Sequence, residues 1–217
     1  MGNIFNLDAP FMQGLGKTVD IILLNILTVL LSIPIVTIGA AATALYDAMW
    51  RMLRDEGSIY KNFFLAFKNN FKQATIIWLM ALVAGAIIVF SILFYIANSM
   101  RILMLMNVML FLLWAVTVAW VFPLQSRFDS PVKVTIKNAV ICGLCHFPRS
   151  MVMVVLNLLP WAVFLSLTAV FFQIGFIWAF VWFGLTALLN MMIIRKPFFK
   201  MAGVELELKE KIEEDEA

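Results

Sequence analysis

Apolar residues run almost unbroken through five stretches of the chain: about Ile21–Leu45, Ala74–Ala97, Ile102–Leu124, Met151–Phe172 and Ile174–Ile194. Each is long enough to cross a bilayer core as a helix, which takes roughly 20 residues. The pattern predicts an all-α membrane protein with five transmembrane helices in one integral membrane domain over residues 1–217. Residues 1–17 are expected to form an external segment and residues 205–217 an acidic cytoplasmic tail. Composition points the same way, because 64% apolar and 13% charged residues could not be arranged as a water-soluble fold of this length.

The basic residues set the orientation. Lys17 precedes the first stretch. Arg51, Arg54, Lys61, Lys68 and Lys72 follow it, and Arg101 stands alone after the second. Arg127, Lys133, Lys137 and Arg149 lie between the third and fourth, and Arg195, Lys196, Lys200, Lys209 and Lys211 follow the fifth. Lys and Arg are retained on the cytoplasmic side. Fourteen on one side against two on the other places the N-terminus outside and the C-terminus inside. The net charge of +3 follows from this bias and does not call for nucleic acid as a partner.

A shift of 76 residues aligns Lys61-Asn62 with Lys137-Asn138 and Phe71 with Phe147, and it brings the second stretch onto the fourth. The third then falls near the fifth, each ending at a proline, Pro123 and Pro197. This is read as two parallel helical-hairpin repeats, with the first span outside them. Each repeat opens with an amphipathic segment. Phe63, Phe67 and Phe71 recur at helical spacing among Lys61, Lys68 and Lys72; in the second, Phe147 closes an apolar stripe beside Lys133 and Lys137. Two interfacial helices are expected, with lysines toward anionic headgroups and rings toward acyl chains of the lipid bilayer. Docking of a partner is the other reading of the same stripes.

Within the first span Pro34 should kink the helix, and Gly39, Ala40, Thr43 and Ala44 form a small-residue face for close helix packing. The polar residues expected inside the membrane are Asp20, placed at the outer edge, with Asn25, Asn107, Asn157 and Asn190. Catalytic and cofactor motifs are sparse. Cys142-Gly143-Leu144-Cys145-His146 spells the c-type haem attachment pattern, but the topology puts it on the cytoplasmic side, on an interfacial helix. Two Cys and one His cannot complete a four-ligand zinc site within one chain. No phosphate-binding glycine loop is present. No catalytic residue, metal or cofactor is expected, and the protein is read as a non-enzyme.

Asn6-Leu7-Asp8-Ala9-Pro10-Phe11-Met12, Thr37-Ile38-Gly39-Ala40-Ala41-Ala42-Thr43-Ala44-Leu45-Tyr46, Arg54-Asp55 and Phe64-Leu65-Ala66-Phe67-Lys68-Asn69-Asn70-Phe71-Lys72-Gln73-Ala74 together resemble the YesL-like family of bacterial integral membrane proteins. The resemblance is strong over Asn6–Ala74 and looser beyond. It implies a small multi-pass protein of the bacterial plasma membrane, in a family whose members are often encoded beside carbohydrate uptake systems of the ATP-binding-cassette type and polysaccharide-degrading enzymes. An accessory role beside such a sugar permease is therefore the first functional expectation. A self-contained small-solute channel or transporter is the second, and homo-oligomerisation is open under either. The family assigns no activity and no catalytic residue.

Overall fold

The structure, a computed structural model, describes the backbone of residues 10–54, 56–166 and 182–198 and the side chains of 16–54, 56–159 and 182–198. Among these residues every regular element is helical: α1 (Pro10–Leu31), a 3-10 turn (Ile35–Thr37), α2 (Ile38–Leu53), α3 (Ile59–Ala97), α4 (Arg101–Arg127), α5 (Val132–Cys145), α6 (Phe147–Ser166) and α7 over 182–198.

The spine is the antiparallel pair α3–α4. Among the described residues these two helices are long and apolar enough to cross a membrane, and α5 with α6 makes a third if that bent pair counts as one span. A three-residue turn joins α3 to α4, with Ser99 in the left-handed region at φ 56°. Farther down, Trp114 Nε1 donates to the Ala81 carbonyl at 2.9 Å. The Trp114 indole can lie there because residue 85 is glycine, where a Cβ would come within 2.5 Å of the ring. At 39 residues, α3 is about 58 Å long, against a hydrocarbon core of roughly 30 Å. Its uncharged part begins after Lys72, so the first turns, with Lys61 and Lys68, project beyond the apolar layer.

The expected first span is not one crossing helix. α1 stops at Leu31, and Pro34 does more than kink the chain: it takes extended backbone (φ −74°, ψ 116°) ahead of the 3-10 turn. Near the start of α3, the Tyr60 hydroxyl donates to Asp20. Well along α3, Trp78 Nε1 donates to the Ile35 carbonyl at 2.8 Å. α1 therefore runs alongside α3 in the same direction, and α2 returns. Gly39, at the start of α2, lies against Ala74 and Trp78, while Asp47 and Arg51, near its end, share a crevice with Asn62 and Asn70. Both ends of the α1–α2 hairpin thus lie at the end of the spine that holds Tyr60 and Arg127, the proximal end. Asp20, expected at the outer edge, is there too. At bilayer depth, backbone groups must be satisfied within the protein. At the hairpin tip Thr37 Oγ1 donates to the Leu31 carbonyl and, at 2.7 Å, to that of Pro34.

α2 is the core helix. Gly39, Ala40, Thr43 and Ala44 are all buried, and a Cβ on Gly39 would sit 2.4 Å from the Ala74 carbonyl oxygen. Small residues let the two backbones approach, the main source of helix cohesion where lipid tails are as apolar as the side chains.

Neither expected interfacial helix is a separate flat element. Lys61–Lys72 is the opening of α3, and no glycine or proline between Lys72 and Gly85 breaks it. Its stripe meets protein: Phe63 is fully buried, and Phe67 packs edge-on against Phe71 with ring centres 5.5 Å apart. Lys61, Lys68, Lys72 and Phe71 stay exposed. The Lys133–Phe147 segment packs along α4 as α5, running the other way. Thr135 Oγ1 reaches Gln125 Oε1 at 3.4 Å near the start of α5, and Gly143 admits the Val116 side chain near its end. Lys137 is exposed on it. α5 stops at Cys145, and the chain turns by 107° into α6, whose first residue is the exposed Phe147. Pro148 explains the break, since it has no N–H to continue the ladder and fits the first turn of the next helix. The two proposed repeats therefore differ in shape, straight in one and sharply bent in the other. Nor does the third span end at Pro123, which lies inside α4. The segment 1–9, the turn between the expected fourth and fifth spans, and the acidic tail lie outside the described residues.

Candidate functional site

Two recesses flank α2, and adjacent residues of that helix, Tyr46 and Asp47, line one each.

The polar crevice, about 270 Å³, lies at the proximal end between α2, α3 and α4. Asp47 is almost fully buried there. Arg51 Nε binds its Oδ2 at 2.7 Å, and Arg127 Nη1 reaches its Oδ1 at 3.4 Å. The Arg127 guanidinium also lies over the Trp50 ring, 5.2 Å from its centre. A buried carboxylate is tolerable only when paired in this way. Beside it Gln125 Nε2 donates to Asn70 Oδ1 at 3.0 Å, and Asn70 Nδ2 to the Ala66 carbonyl at 3.0 Å. These bonds join α2, α3 and α4. Chemically the crevice is a lock on the helix bundle.

The second recess is a cavity of about 620 Å³ between the α1–α2 hairpin, the middle of the spine, α6 and α7. That is the size range of small-molecule sites. Its walls are apolar, with Ile33, Leu45, Trp78, Trp114, Phe122 and Phe183 contributing. One margin is polar. Asn190, fully buried on α7, donates through Nδ2 to the Tyr46 hydroxyl oxygen at 3.0 Å and to Asn157 Oδ1 at 3.1 Å. Its own Oδ1 has no partner among the described residues.

The residues singled out in the sequence are distributed as follows. Asn157 joins Asn190 and Tyr46 at the cavity. Asn25 is buried on α1 and accepts the Gly184 N–H at 2.6 Å, an α1–α7 tie. Asp20 bonds Tyr60. Asn107 stands half-buried on α4 and lines neither recess. Pro34, Gly39, Ala40 and Thr43 build the hairpin turn and its close contact with α3, and the exposed lysines line neither recess. Cys142 is buried and Cys145 exposed, and among the described residues no group of three His, Cys, Asp or Glu is placed to hold a metal. Sequence reasoning passed over Asp47, because the first span was taken to end at Leu45. The signal was present: Asp47 and Arg51 stand at i, i+4, which pairs them once the helix continues.

Residues 21–92 match the family described as Protein of unknown function, DUF624. The match takes in the second half of α1, all of α2 and α3 as far as Ile92. It therefore covers the folded-back hairpin, its contact with α3 and the Asp47–Arg51 pair. It supports an uncharacterised domain family. No curated protein matches, and no solved structure matches.

Proposed function

We propose that the protein is a non-enzymatic component of the bacterial plasma membrane that works by docking its α3–α4 hairpin against a partner membrane protein, the permease of a carbohydrate uptake system of the ATP-binding-cassette type. One observation carries this reading. The distal half of the spine stands bare: Val83, Ile87, Phe90, Ile102, Met106 and Met109 are each more than half exposed. In its midst Asn107 has no hydrogen-bond partner among the described residues. An amide at bilayer depth needs a polar partner, and a neighbouring helix is the usual source. The sugar permease comes from the resemblance to YesL-like proteins, and the match to an uncharacterised family is compatible with it. A self-contained conduit is favoured less, because the larger recess is apolar and a solute path needs a polar lining. Affinity capture from native membranes, with mass spectrometry, should enrich a permease subunit, and Asn107→Leu should reduce its yield. Capture of a second copy alone, or none, refutes the reading.

The fold-back of α1–α2 also favours a changed topology, with both termini cytoplasmic. Lys17 then joins the basic majority and Arg101 alone remains outside, a sharper bias than a crossing first span allows. A cysteine at Asn98 should react with an impermeant reagent in intact cells, and one at Lys17 should not. Labelling at both would restore the crossing span.

A further inference from the structure

We propose that the 620 Å³ cavity is a site for one acyl chain of a glycerolipid from the cytoplasmic leaflet, held by its ester carbonyl at Tyr46 and Asn157. Three observations converge on that occupant.

The first is depth. Tyr46 precedes Asp47, which pairs with Arg127 where the uncharged run of α4 ends. The polar margin of the cavity therefore sits near the boundary between headgroups and hydrocarbon. From there the cavity extends along α2 to Ile38 and the hairpin tip, and to Trp114 in the middle of the spine. That is the course of an acyl chain, with its ester at the boundary and its methylenes toward the bilayer centre.

The second is chemistry. The Tyr46 hydroxyl accepts from Asn190, and its own proton faces no acceptor among the described residues. Asn157 uses its Oδ1 to accept from Asn190, which leaves its Nδ2 donors without a partner among the described residues. Thr28 and Thr186 also line the cavity but spend their hydroxyls on their own helices, and Ser32 lines its far end; two donors at the margin of such a largely apolar cavity suit a ligand whose polar end is an acceptor and whose remainder is hydrocarbon. A carbonyl ester is such an end, and sugars or ions are not.

The third is that the site is built. Asn190 is fully buried and Tyr46 more than nine-tenths buried, and Asn190 fixes both ligand-facing side chains from behind.

The test uses the purified full chain in vesicles of phosphatidylglycerol and phosphatidylcholine carrying a trace of phosphatidylcholine with a photoreactive acyl chain. Cross-links should fall on peptides of α2, α4 and α6 that line the cavity, besides the general labelling of the bare distal surface. Ala42→Trp fills the cavity and should abolish the first set while leaving the second. Tyr46→Phe keeps the ring and removes the hydroxyl, with both its bond to the ester and the one it accepts from Asn190, and should weaken cavity labelling about fivefold without lowering the melting temperature by more than loss of the Asn190 bond does. The same probe chain as a free alkane should be insensitive to Tyr46→Phe. Equal labelling of wild type and both variants, or labelling of the distal surface only, overturns the proposal. So does preferential capture of a free fatty acid over the glycerolipid. Should Ala42→Trp fail to fold, the Tyr46→Phe comparison decides alone. None of these readings depends on whether a permease is captured.

Discussion

The two halves of the α3–α4 hairpin both carry large apolar side chains and put them in opposite surroundings. In the proximal half Phe63, Ile77 and Trp120 are buried, whereas in the distal half Phe90, Ile102 and Met109 are 72%, 77% and 73% exposed. The apolarity of these side chains cannot be the cause, since it is common to both sets. What differs is the supply of small residues and polar ties. The proximal half has Gly39 against Ala74, Gly143 against Val116, and the Asp47–Arg127 and Trp120–Ser150 bonds. The distal half has Gly85, and that is taken up by Trp114 within the hairpin itself. In a bilayer, helices gather where backbones can approach and polar groups can pair.

The comparison can be broken most forcefully at Asp47. Asp47→Ala leaves Arg51 and Arg127 facing each other without their anion. Loss of one partner of a buried ion pair should lower stability by about 3 kcal/mol, read as a shift of the denaturation midpoint in detergent micelles. A shift no larger than that of Lys61→Ala would show that the lock is dispensable. Gly39→Leu comes next. Its side chain must displace the Ala74 backbone or Trp78, at about 2 kcal/mol, and the measured loss should shrink if Trp78 is also made Ala. Ser150→Ala removes the acceptor of Trp120 Nε1, which lies 2.8 Å away, and should cost about 1 kcal/mol with a change in tryptophan fluorescence. Smallest of all, Phe90→Ala in the distal half should leave stability within about 0.5 kcal/mol while altering partner capture. A loss comparable to that at Gly39 would mean the distal surface is packed after all.

The spine was legible because its hydropathy is unambiguous: stretches expected at Ala74–Ala97 and Ile102–Leu124 lie within α3 and α4. The hairpin was not, since Ser32-Ile33-Pro34 in an apolar run looks like a kinked crossing until Trp78 and Tyr60 are seen to bind its two ends. The Phe63–Phe67–Phe71 stripe fixes a helix but cannot say which rings the protein covers: Phe63 is buried and Phe71 exposed. Asp47 was hidden by a span boundary drawn at Leu45, eight residues before α2 ends at Leu53. The Tyr46–Asn157–Asn190 cluster joins three helices distant in sequence, and no local pattern links them.

The most direct measurement of the contrast is collisional accessibility of spin labels to oxygen, scanned through α3 and α4 in the purified chain reconstituted in lipid. Labels at Phe63, Ile77 and Trp120 should be shielded. Those at Ile87, Phe90, Ile102 and Met109 should be as accessible as a lone hairpin in lipid allows, with shielding confined to the α3–α4 contact around Gly85 and Trp114. Distal labels as shielded as the proximal ones would contradict the account.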